Sequence, residues 1–163
     1  MKRALNAFLL SLFFLAVVDL AWATQQEEDT IKLQDGIGFL LERPLNEYIR
    51  TLNPMPKFDV PRTSNYKGYE AAWEIRDSRL FLTTFTAATG RAPQPVSVLF
   101  PGRELPILAD WFSGPLHIIS GKTIRARGYQ TFEHVTRYQV AKGVITATEE
   151  LRNVREDKLT RKP

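Results

Sequence analysis

The feature that most constrains the fold is the run Tyr69-Glu70-Ala71-Ala72-Trp73-Glu74-Ile75-Arg76. Side chains alternate faces along a strand, so Tyr69, Ala71, Trp73 and Ile75 share one face, and Glu70, Ala72, Glu74 and Arg76 the other. This pattern predicts a half-buried strand with Trp73 turned to the core. Asp77-Ser78-Arg79 reads as a turn, and Leu80 to Thr86 returns as a strand rich in Thr, Phe and Leu, giving an antiparallel hairpin.

Similar signals recur along the chain. Ile31 to Leu33 and Ile37 to Leu41 flank Asp35-Gly36, a pair suited to the positive φ of a hairpin turn. Pro44 to Ile49 predicts a short helix: Pro44 fits its first position, and Leu45, Tyr48, Ile49 and Leu52 recur at helical spacing. Asn53 to Pro61 carries three prolines and reads as a loop or extended crossing. Strands are predicted over Val96 to Phe100, Leu108 to Phe112, Leu116 to Ile119, Thr131 to Val140 and Val144 to Thr148. Ser120-Gly121 is expected to close the third of these, and Lys142-Gly143 to turn the chain before the last. About eight short strands and one helix predict a mainly β, single-domain fold, an antiparallel sandwich or a partly closed barrel.

The first 23 residues have the layout of a bacterial export signal. Lys2 and Arg3 form a positive head, Ala7 to Val18 is a largely apolar run of 12 residues, and Ala21-Trp22-Ala23 offers small residues where a signal peptidase cuts. The run is short of the roughly 20 residues that span a bilayer, and Asp19 ends it. Cleavage after Ala23 is expected, with a β-rich domain over 24–151, a disordered charged tail over 152–163, and a periplasmic or secreted destination.

The basic balance resides in the ends. Residues 152–163 hold five basic and two acidic side chains, whereas residues 24–151 hold 15 of each. A nucleic-acid surface needs a clustered basic face on the folded body, and no such cluster is apparent, so nucleic acid is not an expected partner. The chain has no cysteine, so its core must hold by apolar burial alone.

Three stretches occur together in a familiar order. The first is Tyr66-Lys67-Gly68-Tyr69-Glu70-Ala71-Ala72-Trp73-Glu74-Ile75, followed by Leu80-Phe81-Leu82. The second is Leu99-Phe100-Pro101-Gly102. The third is Ala109-Asp110-Trp111-Phe112-Ser113-Gly114-Pro115-Leu116-His117-Ile118, then Gly121-Lys122 and Gly128-Tyr129. Over roughly residues 31–146 the chain resembles a group of small bacterial proteins of unknown function, exported and cytoplasmic. The resemblance implies a common fold and brings no catalytic residue with it.

Reactive constellations are sparse. Glu70 and Glu74 lie about 13 Å apart along a strand, too far for paired glycosidase carboxylates. His117 and His134 are the only histidines and show no metal-ligand spacing, so no metal or cofactor is expected. Ser113 lacks the nucleophile-elbow pattern, since Trp111 stands where glycine is needed. Asp110 sits in an apolar run, where it either points outward, caps the Ser113-Gly114 turn, or serves as a polar group at the mouth of an aromatic pocket. Trp73, Trp111, Tyr66, Tyr69, Phe112 and Tyr129 either fill the core or supply anchors for a ligand.

These readings lead to an exported envelope protein that binds a protein or small-molecule ligand, in one version an immunity or inhibitor protein. Trp73, Asp110, Trp111, Tyr129 and His134 are its candidate binding residues. The alternative is a periplasmic hydrolase assembled from distant residues, with Asp110, Glu133 and His134 as its candidate groups.

Overall fold

The structure, a computed structural model, describes residues 26–60, 62–89, 92–126 and 129–152. Of residues 88, 89, 125, 126, 129, 130 and 152 it describes the backbone only. The expected signal segment and all of the expected tail past Arg152 lie outside the described residues. Among those described, no helix is long and apolar enough to cross a membrane.

The fold is mainly β, and the described residues form nine strands in one sheet and one short α-helix. The strands are β1 (Asp29–Leu33), β2 (Gly36–Leu40), β3 (Tyr69–Arg76), β4 (Arg79–Thr89), β5 (Ala92–Gln94), β6 (Ile107–Leu108), β7 (Gly114–Ala126), β8 (Tyr129–Ala141) and β9 (Val144–Arg152). The helix, α1, spans Pro44–Ile49. Strand order runs β3-β1-β2-β7-β8-β9-β4-β5, with β6 on β4, and β3 also pairs with β4, so the pairings return on themselves as a ring. All are antiparallel except β1–β3, which is parallel. A parallel pair needs a long crossover, and here α1 with its following loop provides it.

The alternation at Tyr69 is realised. Tyr69, Ala71 and Trp73 are buried, Ile75 packs on the core edge, and Glu70 and Arg76 are exposed. Trp73 is fully buried and donates its Nε1–H to Asp29 Oδ2 at 3.0 Å. Asp29 is also ion-paired to Lys67, whose ammonium lies 5.1 Å from the centre of the Tyr69 ring. The Tyr69 hydroxyl donates to Asn46 Oδ1 at 2.8 Å, and its burial, helped by the Asp29 charge, pushes the phenol well above its usual range. Leu45 and Ile49 of α1 enter the same core. Tyr48 stacks on Phe100 at 4.3 Å and meets Trp111 at 4.9 Å.

Five local expectations change. The β1–β2 hairpin forms, but its loop residues are Gln34 and Asp35, since Leu33 pairs with Gly36. Asp35 does not take positive φ; the turns that do so at both loop residues are Asp77-Ser78 (φ 48° and 56°) and Lys142-Gly143 (φ 48° and 76°). Val96–Val98 is a 3-10 turn, not a strand, with the Val96 carbonyl accepting from both the Leu99 and Phe100 amides. This winding buries the adjacent side chains Leu99 and Phe100 together, which strand alternation would forbid.

Leu108 to Phe112 is strand only at its start; Phe112 N–H donates to Ala109 C=O and closes a turn. Finally, Ser120-Gly121 does not end β7. The strand bulges there and continues to Ala126, and β9 likewise runs on to Arg152 instead of stopping at Thr148.

Candidate functional site

A groove of about 610 Å³ opens beside a short seam in the ring of pairings. The β2–β7 seam contains only two pairs, Phe39 with Ile119 and Leu40 with Ile118. Gly38 lets the strands approach there: a Cβ at that position would lie 2.9 Å from Ile118 Cγ2 and 3.1 Å from the Ile119 carbonyl. Beyond the seam the β1–β2 tip departs from β7, and β7 bulges between Ser120 and Thr123. The gap becomes the groove. Leu33, Gln34, Asp35 and Ile37 form one wall, Ser120 and Gly121 another, and His134 and Thr136 of β8 with Glu150 and Leu151 of β9 complete it.

Two features distinguish the groove. Ile37 is 66% exposed and Leu151 43% exposed, and both residues line the groove. Asp35 and Glu150 add two carboxylates, and among the described side chains His134 is the one basic group lining it. Gly121 holds His134 in place. Its φ of +82° suits glycine, and a Cβ there would fall 2.6 Å from His134 Cδ2. The imidazole therefore lies directly on the bulge, with Glu133 Oε2 at 3.9 Å from its Nε2.

The structure disperses the residues expected from sequence. His134 lines the groove. Trp73 is fully enclosed and its N–H is used by Asp29, so it presents no surface to a ligand. Trp111 is half-buried against Tyr48 and Phe100, donating its N–H to the Pro44 carbonyl at 3.0 Å. Asp110 points outward with a side chain 58% exposed, 4.0 Å from Arg103. Tyr129 opens β8 opposite Ala126, and its side chain lies outside the description.

Asp110 and His134 stand far apart. The Asp110 amide lies beside Gly143, at the Lys142-Gly143 turn. His134 is seven residues from Ala141 along β8, about 23 Å at strand spacing. The grouping of Asp110, Glu133 and His134 does not form. His117, the other histidine, is held by Glu42, which takes its backbone N–H at 2.5 Å and lies 2.6 Å from Nδ1. Among the described residues no three His, Asp or Glu side chains gather to hold a metal ion.

A second depression, of about 420 Å³, lies on the outer sheet face beside Glu27, Arg62, Lys67 and Glu70. Most of its charges are engaged: Lys67 is held by Asp29, and Glu28, also on its wall, lies 3.6 Å from Arg43. Arg62 holds Glu27 through 2.6 and 2.7 Å hydrogen bonds and reaches Glu70 at 2.8 Å. The Arg62 and Ser64 hydrogen bonds hold Glu27 below the usual carboxylate range, and Arg76 does the same for Glu74. A carboxylate with a lowered folded pKa stabilises the fold above its unfolded pKa and loses that contribution as pH falls through the folded value. Stability should therefore decline on acidification into and below the ordinary carboxylate range. Glu27→Gln should flatten that decline in pH-dependent denaturant melts, while an unchanged acid limb would contradict the role of the Glu27 contact.

Most of the groove lining is not legible in the sequence: Asp35 reads only as a turn residue and Ile37 only as strand, and Glu150 and Leu151 lie past the Thr148 end expected for β9. Comparisons of the chain with protein-family models, with curated proteins and with solved structures give no match.

Proposed function

We propose that this chain is an exported protein of the bacterial envelope that acts by binding another protein through the groove between the β1–β2 tip, the β7 bulge and the β8–β9 hairpin. The observation that carries the reading is the exposure of Ile37 and Leu151 together in a concave, acid-bearing site. Apolar side chains rimmed by polar groups are a recurrent form of interaction surface. Asp35 and Glu150 favour a partner segment that brings an apolar side chain flanked by Lys or Arg. An immunity or inhibitor protein that masks a basic patch on a toxin or hydrolase is a concrete form of this activity. The separation of Asp110 from His134 leaves the hydrolase alternative without its grouping.

Ile37→Asp and Leu151→Asp test the proposal. Each should abolish the partner's enrichment in quantitative pull-downs from envelope extract, with little effect on melting temperature. Val98→Asp, at a 43% exposed apolar side chain elsewhere, should retain it. Equal enrichment by the unmodified protein and all three variants would overturn the assignment of the groove.

A further inference from the structure

The chain leaves β9 at the wall of the groove. Glu150 and Leu151 line it, and Arg152, the last residue of β9, pairs with His134, which lines it too. Asn153 to Pro163 follow. Val154 and Leu159 are the only sizeable apolar side chains of that segment, too few for a core of its own. Leu159 sits in Lys158-Leu159-Thr160-Arg161-Lys162, which carries three positive charges and no negative one. An apolar side chain between basic ones complements the groove, where Ile37 and Leu151 are exposed and Asp35 and Glu150 supply carboxylates.

We infer that this segment turns back and occupies the groove of its own chain, with Leu159 against Ile37 and Leu151 and with Lys158 and Arg161 at Asp35 and Glu150. The inference rests on the reading of the groove as a binding surface and adds its regulation: the tail is a tethered occupant that a partner must displace. The six residues from Asn153 to Lys158 extend up to about 20 Å, ample to turn back over a groove whose wall they leave. Val154 is the poorer anchor. Only Asn153 separates it from the last residue of β9, one fewer than the tightest common hairpin turn uses. Glu156 and Asp157 also follow Val154 closely, and they repel Asp35 and Glu150. Tethering gives the tail a local concentration on the order of millimolar, so a weak contact suffices to fill the groove. A partner then binds with an affinity lowered by the fraction of chains whose groove is free.

The chain has no cysteine, so Lys162→Cys in the full chain supplies the one thiol for a nitroxide label. In NMR spectra the label should broaden the amides of Ile37, Gly121 and His134 strongly. Those of Ala109 and Gly143, which meet at the far end of β8, should stay sharp. Adding Leu159→Asp to the labelled chain should remove most of the broadening, and high salt should weaken it. Dilution should leave it unchanged, because the contact is within one chain. Groove amides that stay sharp, or broadening that survives Leu159→Asp, would overturn the inference. Broadening lost on dilution would also overturn it, by placing the tail of a second copy in the groove. With its groove unblocked, the Leu159→Asp chain should enrich the partner several-fold more than the unmodified chain in the pull-downs; equal enrichment would overturn the regulatory role. Failure of the underlying reading has a different signature. If Ile37→Asp leaves the partner's enrichment unchanged, the binding reading falls, while the label still reports where the tail lies.

Discussion

Replacing Trp73 with alanine is expected to destabilise the fold by about 3–5 kcal/mol, as do other large truncations in a close-packed core. Trp73 is fully buried, on a strand bonded to both β1 and β4, so the ring of pairings passes through its backbone. The truncation opens a cavity and also leaves Asp29 Oδ2 without the 3.0 Å indole donor. Denaturant melts read the effect as a lower midpoint at unchanged slope. A loss under about 1 kcal/mol would contradict this placement of Trp73.

Asp29→Ala is expected to have a comparable effect by a different route. The Asp29 side chain has no solvent exposure and that of Lys67 only 4%, so the pair is buried. Removing the carboxylate strands an ammonium in the protein interior and leaves the Trp73 N–H unpaired, at a cost of about 3–5 kcal/mol. Replacing both charges with apolar groups removes the stranded charge, so Asp29→Ala with Lys67→Met should recover much of the loss. The double-mutant cycle measures this coupling. Additive losses would show that the two groups do not act as a pair.

The β3–β4 hairpin was legible because alternation is a local property of the chain, and the mainly β fold with one helix followed from many such local signals. The helix at Pro44 was legible for the same reason, since Leu45 and Ile49 repeat at the helical period and both enter the core. Val96 to Phe100 was not, because a five-residue, mostly apolar run fits a strand or a turn equally well. Only the tertiary demand to bury Leu99 and Phe100 side by side selects the turn. The parallel β1–β3 pair depends on where the chain returns after the crossover, and no run of residues encodes that alone.

The groove was hidden for a stronger reason. Its existence depends on where pairing stops, at the two-pair β2–β7 seam and the Gly121 bulge, not on any residue type. His134 was singled out because the chain has only two histidines. Its neighbours Asp35, Ile37, Glu150 and Leu151 come from two other strands and a loop, so nothing in the linear order joins them. Trp73 and Trp111 attracted notice as large aromatics, and their indole N–H groups proved to be bound within the fold.

The most direct test of the groove as the binding surface is site-specific photocrosslinking in intact cells producing the protein. A photoreactive residue replaces Ile37 or Leu151 in turn, with Val98 and Tyr66, both exposed and outside the groove, as controls. The groove account expects one common adduct from positions 37 and 151 and none from 98 or 66. Adducts from the controls alone, or the same adduct from all four positions, would contradict it.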